Sequence, residues 1–177
     1  NAAVTTDLDC DAPPANQAVI TGTISGGTAP FTVIKTGAAA TGTLVQPTAS
    51  GTTFTYTTDV AGTYNFQITD AIGCVTTASA TINALVPVTG TATVTDVTCF
   101  NAANGSVTLA ATTGVAPFTY SFNNSAFTAT TTYTNVAGSV AGTSYNYVIK
   151  DNKGCTYPGT VSIKQPEAIA ISASITT

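Results

Sequence analysis

Ala61-Gly62-Thr63-Tyr64-Asn65-Phe66-Gln67-Ile68-Thr69-Asp70-Ala71-Ile72-Gly73-Cys74 returns later as Ala141-Gly142-Thr143-Ser144-Tyr145-Asn146-Tyr147-Val148-Ile149-Lys150-Asp151-Asn152-Lys153-Gly154-Cys155. In each copy an Ala-Gly-Thr lead is followed by large apolar residues alternating with mostly polar ones. A strand sends successive side chains to opposite faces, so Tyr64, Phe66 and Ile68, and likewise Tyr145, Tyr147 and Ile149, fall on one face. Each run stops at Asp-x-x-Gly. There Asp can bond its own backbone and Gly can take positive φ, so the chain reverses as a hairpin whose return arm begins at Cys74 or Cys155.

A stretch that occurs twice in 177 residues predicts two units, and the rest of the chain aligns on it. The first unit spans 1–87, the second 88–166, and 167–177 reads as the opening strand of a following repeat. Thr91–Thr98 before Cys99 answers the strand before Cys10, and Ser106–Thr112 answers Ala18–Ser25. Gly26-Gly27-Thr28-Ala29-Pro30-Phe31-Thr32 answers Thr113-Gly114-Val115-Ala116-Pro117-Phe118-Thr119. After it Phe118, Tyr120 and Phe122 share a face; the first copy keeps Phe31 and Val33 but places Lys35 third. Between this strand and the Ala-Gly-Thr strand the copies diverge, the first carrying the longer Thr36–Ser50 stretch.

Six or seven short strands per unit, Gly and Pro at the turns and no helical period predict an all-β fold: two tandem immunoglobulin-like antiparallel β-sandwiches. The buried Trp of antibody domains is absent and the cysteines do not sit mid-strand. The junction Asn83-Ala84-Leu85-Val86-Pro87-Val88 is short, apolar and Pro-containing, which predicts restricted bending. Small β domains often need a staple. Of the three connectivities open to four cysteines, the repeat favours one bond per unit, Cys10–Cys74 and Cys99–Cys155, worth at most about 4 kcal/mol each. On an up-and-down path an even number of strands must separate two cysteines that meet. The second unit offers four, and in the first Thr41–Val45 must then be a loop or an irregular addition, or the path is not simple. Disulfides would place the protein in an oxidising compartment.

Composition narrows the chemistry. Charged residues make up 7%, there is no His, and the net charge is -4 with only four Lys plus Arg. Such a chain cannot build the basic stripe a nucleic-acid partner needs, nor dock electrostatically on anionic lipid. No apolar run is long enough to span a bilayer. The chain begins at Asn1 without Met or a signal peptide, which reads as a processed product or a piece of something longer. Without His, nucleophilic triads and Cys–His pairs are excluded. Turn chemistry already accounts for Asp70 and Asp151, so a carboxylate pair for glycoside hydrolysis is not expected, nor is any other catalytic residue. Cysteine spacing does not fit a zinc site.

Asp7-Leu8-Asp9-Cys10-Asp11 is the densest acidic run; Asp7, Asp9 and Asp11 are weak calcium candidates, because calcium wants six to eight oxygens and a solvated strand end explains the run better. No cofactor is expected. The Thr89–Thr95 alternation reads as the wet face of a strand rather than an ice- or glycan-binding array. Asn104-Gly105-Ser106 and Asn123-Asn124-Ser125 fit the N-glycosylation pattern, which matters only in a eukaryotic source. Phe54, Tyr56 and Tyr157 would bind sugar only if exposed, and core or domain-interface packing is the expectation.

Cys99, Asn104-Gly105-Ser106, Pro117-Phe118-Thr119-Tyr120, Ala141-Gly142-Thr143, Asp151-Asn152-Lys153-Gly154-Cys155 and Gln165-Pro166 together resemble the SprB-type repeats of giant surface adhesins of gliding Bacteroidota. The resemblance covers about 90–166 and, more loosely, the first unit. The family usually has Trp after its Pro-aromatic strand, where Phe122 and Lys35 stand here; the first unit also lacks the Asn-Gly-Ser and Gln-Pro elements. The resemblance implies a tandem extracellular module exported by the type IX route and serving adhesion or gliding. It supplies no catalytic motif and no ligand site. Three functions follow for testing: a stalk or spacer, a glycan- or protein-binding module, and a filament subunit whose 167–177 segment completes a neighbour's sheet.

Overall fold

The computed structural model describes residues 1–10, 16–37 and 41–173. It is all-β among the described residues, and the chain divides into two compact units, Asn1–Leu85 and Val86–Thr177.

In the first unit β1 (Ala2–Thr6), β2 (Ala18–Thr23), β4 (Thr43–Val45) and β5 (Thr53–Thr58) form one antiparallel sheet in the order β1-β2-β5-β4. The other sheet orders β3 (Thr32–Thr36), β6 (Gly62–Thr69) and β7 (Val75–Ile82) as β3-β6-β7. Alternation sets the core between the sheets. Ala18 and Ile20 from β2, Phe54 and Tyr56 from β5, Val33 from β3, and Tyr64, Phe66 and Ile68 from β6 pack into one buried cluster with Leu8, Phe31 and Ile82. Four of its aromatic rings interlock: Phe66 lies 5.1 Å from Phe54 and 5.7 Å from Tyr56, and Tyr56 lies 5.0 Å from Tyr64. Room for Phe54 comes from its cross-strand neighbour Gly22, where a Cβ would fall 2.0 Å from the ring.

The second unit repeats the plan. β8 (Thr89–Thr95), β9 (Gly105–Thr113) and β11 (Thr132–Val136) are ordered β11-β9-β8; β10 (Thr119–Phe122), β12 (Thr143–Lys150) and β13 (Thr156–Ile163) are ordered β10-β12-β13. Val107, Leu109, Tyr120, Phe122, Tyr147, Ile149 and Ile163 are buried. Here Gly159 makes space for the ring of its cross-strand neighbour Tyr147. Ala29-Pro30 and Ala116-Pro117 are both cis. The Thr-rich outer faces zip through cross-strand hydroxyl pairs such as Thr5–Thr21, Thr63–Thr81 and Thr108–Thr132, the wet strand face expected of Thr.

The units part company after the Pro-aromatic strand. In the first, Thr43–Val45 is a strand on the β5 edge, so of the alternatives left by the even count it is not a loop. In the second, the chain leaves β10 at Phe122 and must return to the opposite end before β11 begins. It does so through a segment whose Thr128 bridges Tyr120. Both units therefore contain five traverses between their cysteines, and an odd number puts them at opposite ends.

Candidate functional site

Each unit has two poles, one where the chain enters and one where it leaves. In the first unit Asn1 donates to Thr23 O at the leading pole, where the β6–β7 turn also lies. β6 begins at the trailing pole, paired Gly62↔Ile82 where the chain exits. In the second, Val97 N donates to Lys164 O and Asn101 N to Gln165 Oε1 at the trailing pole.

At the leading pole of both units the Asp-x-x-Gly-Cys turn forms the same clamp. Asp70 Oδ1 accepts from Ile72 N (3.1 Å) and Cys74 N (2.8 Å), and its Oδ2 accepts from Thr28 N (3.1 Å). Asp151 Oδ1 accepts from Lys153 N and Cys155 N (both 2.9 Å), and its Oδ2 from Val115 N (3.1 Å). Backbone bonds Ala71 N to Thr28 O and Asn152 N to Val115 O, each 2.9 Å, complete the match. The aspartate thus ties the hairpin turn to the Gly-containing turn that precedes the Pro-aromatic strand. At Asp70 the backbone N–H donors favour the charged form of the carboxylate. For Asp70 desolvation pulls the other way, but the N–H groups of Cys74, Thr28, Ile72 and Gly73 outweigh it and hold the carboxyl below its ordinary value. Both recurrent acids are therefore occupied by backbone. They hold the turn, and they are not placed as a catalytic pair within either unit.

The surroundings of the two clamps differ. Asp151 and Cys155 are buried, whereas Cys74 is exposed, with Ile72 72% and Val75 57% accessible. A cavity of about 240 Å³ opens beside the first clamp, lined by Ile24, Phe31, Ile68, Asp70, Cys74 and Val75 among others.

The cysteines depart from expectation. Cys74 and Cys99 carry free, exposed thiols, so neither Cys10–Cys74 nor Cys99–Cys155 is formed; Cys10 and Cys155 are disulfide-bonded. The strand count explains it. Cys155 immediately precedes the eight-residue β13, while Cys99 follows Val97, which is bonded to Lys164 just past that strand's end. Eight extended residues span roughly 27 Å, and a disulfide needs Cα atoms within about 7 Å. In the first unit Cys74 precedes β7, also eight residues, and Cys10 follows β1 at the far pole.

The remaining candidates sort by burial. Phe54 and Tyr56 are core residues, 2% exposed each, and are closed to ligand; Tyr157 is half-buried. Among the described residues no three metal-ligating side chains cluster; Asp7 and Asp9 are described, and Asp11 lies outside the described residues. A wider groove of about 560 Å³ in the second unit was not legible in the sequence. Phe122 stacks on Tyr133 (4.8 Å) and Tyr145 (5.3 Å) along its wall. Asn123 and Asn135, both at positive φ, also line it. The rings come from three strands, β10 and β12 of one sheet and β11 of the other, so strand pairing and the packing of the two sheets bring them together. Phe122 taking the Trp position was the one available signal.

Comparison with known proteins follows this geometry. Residues 91–127, from β8 through β10 and just beyond, match the family described as SprB repeat, so the second unit carries a SprB-type repeat. Solved structures similar to the chain include the C-terminal 282-residue fragment of intimin in complex with the translocated intimin receptor intimin-binding domain. That likeness is 12% identity and TM-score 0.41, over 93% of this chain and 63% of that one. The D0-D1 domain of intimin gives 14% and 0.32, over 93% and 98%. The Yersinia pseudotuberculosis adhesin InvE gives 16% and 0.27, over 92% and 58%. The chain thus spans less than two thirds of the first and third of these. No curated protein matches the chain.

Proposed function

We propose that the chain is a non-catalytic run of immunoglobulin-like repeats, a stalk or spacer of a large bacterial cell-surface adhesin serving attachment or gliding, exported by the type IX route to the oxidising cell exterior. The SprB repeat match over 91–127 carries the reading. The first unit's identical Asp clamp extends it along the chain, since a spacer is built by repeating one structural module. On this reading 167–177 is an opening strand of the repeat type, and among its described residues Ile169 and Ile171 are 95% and 92% exposed.

The test is competition. Cells of the parent organism are allowed to attach to a surface in the presence of a large excess of the purified chain. A spacer leaves attachment unchanged. Inhibition overturns the spacer reading in favour of the second one, a glycan- or protein-binding module. The observation favouring that alternative is the aromatic groove of Phe122, Tyr133 and Tyr145, because stacked rings beside polar Asn backbone suit a sugar face; loss of inhibition in Tyr133→Ala would locate the contact there.

A further inference from the structure

We infer that Cys74 and Cys99 are the two halves of a cross-link between successive pairs of these repeats. Cys99 at the trailing pole of one pair joins a cysteine of the Cys74 kind at the leading pole of the next. The inference rests on the tandem-repeat reading above and adds a covalent connection to it.

Three observations carry it. First, Cys74 corresponds to Cys155 and Cys99 to Cys10, by the repeat and by matching turns. Cys155 and Cys10 are disulfide-bonded while their counterparts are free and exposed. Both positions are therefore ones at which this module forms disulfides, and each is open once. Second, the two cysteine positions lie at opposite poles of every unit, the Cys99 kind where the chain leaves and the Cys74 kind where it enters. A cross-link of the inferred kind therefore joins a trailing cysteine to a leading one, and never like to like. Third, exposed apolar side chains adjoin each free thiol. Ile72 and Val75 flank Cys74 beside the 240 Å³ cavity, and Phe100, 46% exposed, adjoins Cys99. The corresponding Asp151 and Cys155 in the second unit are covered.

A single chain carries one free thiol of each kind, so a second copy supplies both partners. The contact is heterologous and open-ended rather than two-fold. Closing it oxidises two thiols, and a small-molecule disulfide such as oxidised glutathione is the oxidant. Cys99 thiolate attacks one sulfur and expels a glutathione thiolate. Cys74 thiolate then attacks the mixed disulfide, forming the Cys74–Cys99 bond and releasing the second glutathione. Two protein thiols lose two protons and two electrons, and the oxidant gains them.

The experiment uses the full chain in two variants, Cys74→Ser and Cys99→Ser, each retaining one exposed thiol whose reactivity is first confirmed with a colorimetric disulfide reagent. Each variant alone, and an equimolar mixture at the same total concentration, is equilibrated with a glutathione redox buffer and read by non-reducing electrophoresis and peptide mass mapping. The mixture should give at least tenfold more disulfide dimer than either variant alone, all of it linked Cys99 to Cys74. Equal dimer in the three samples, dimer from one variant alone, or no dimer despite reactive thiols would each overturn the cross-link. The cell-attachment assay reads the spacer role separately. Absence of cross-links with attachment unaffected defeats this inference alone, whereas inhibition by the excess chain defeats the spacer reading whatever the gel shows.

Discussion

Val33 and Tyr120 hold the same place in the edge strand that follows the Pro-aromatic turn, and their units satisfy that edge in different ways. In the first unit the Gln46 side chain closes it: Oε1 accepts from Val33 N (2.8 Å) and Nε2 donates to Val33 O (2.6 Å). In the second the main chain does the work, Tyr120 N to Thr128 O (2.7 Å) and Thr128 N to Tyr120 O (3.0 Å). An amide side chain presents an N–H donor beside a carbonyl acceptor, as a peptide group does, so it can stand in for a single rung of a ladder. The crossing segment is then free to join the β5 edge as β4. Where the backbone itself makes the rung, the segment stays with β10. The same problem, an open sheet edge, thus has a side-chain answer in one repeat and a backbone answer in the other.

Two residues further along, Lys35 and Phe122 differ in the same spirit. Lys35 Nζ lies 5.9 Å from the Tyr64 ring centroid, and Phe122 stacks on Tyr145, the counterpart of Tyr64, at 5.3 Å. One unit covers its tyrosine with a cation and the other with a ring.

The comparison can be broken at several points. The largest effect should come from the core that both units share: Phe66→Ala, at a position with no exposure, should cost the first unit about 3 to 5 kcal/mol in urea unfolding, with Tyr147→Ala the matching loss in the second. A second unit that resisted Tyr147→Ala would show that its core is organised elsewhere. Next is the clamp. Asp151→Ala strips three N–H groups of their acceptor at a buried site, and about 3 kcal/mol should be lost. Asp70→Ala removes the same bonds where water can replace them, and the shift in melting temperature should be visibly smaller. Equal shifts would mean that burial does not separate the two clamps.

Acid offers a finer cut. Because the folded carboxyl of Asp70 lies below its usual value of 3.8, its contribution is complete above that value and disappears as pH falls through the lower folded one. Thermal unfolding of the wild type should therefore steepen in pH dependence below about pH 4, and Asp70→Asn should flatten that part of the profile. The smallest effect is at the edge: Gln46→Ala should cost the first unit about 1 kcal/mol, read as faster amide exchange at Val33. Thr128→Ala should leave Tyr120 exchange unchanged, since only backbone atoms are involved.

What the sequence made legible was whatever repeats in local chemistry. The alternation of Tyr64, Phe66 and Ile68 marked a buried strand, and Asp-x-x-Gly marked a hairpin turn whose acid is satisfied by backbone. The cysteine pairing was not legible, because it depends on a parity: one three-residue strand, Thr43–Val45, and one irregular crossing near Thr128 each add a traverse that periodicity is too short to reveal. The Phe122–Tyr133–Tyr145 groove was hidden for a related reason, since strand pairing and the packing of two sheets, not spacing, assemble it.

The most direct check on the account is thiol mapping of the native chain. Unreduced protein is alkylated, digested and read by mass spectrometry. The account predicts alkylation at Cys74 and Cys99 and none at Cys10 and Cys155 until reductant is added. Recovery of a peptide linking Cys10 to Cys74, or Cys99 to Cys155, would contradict it by bringing together residues placed at opposite poles of one unit.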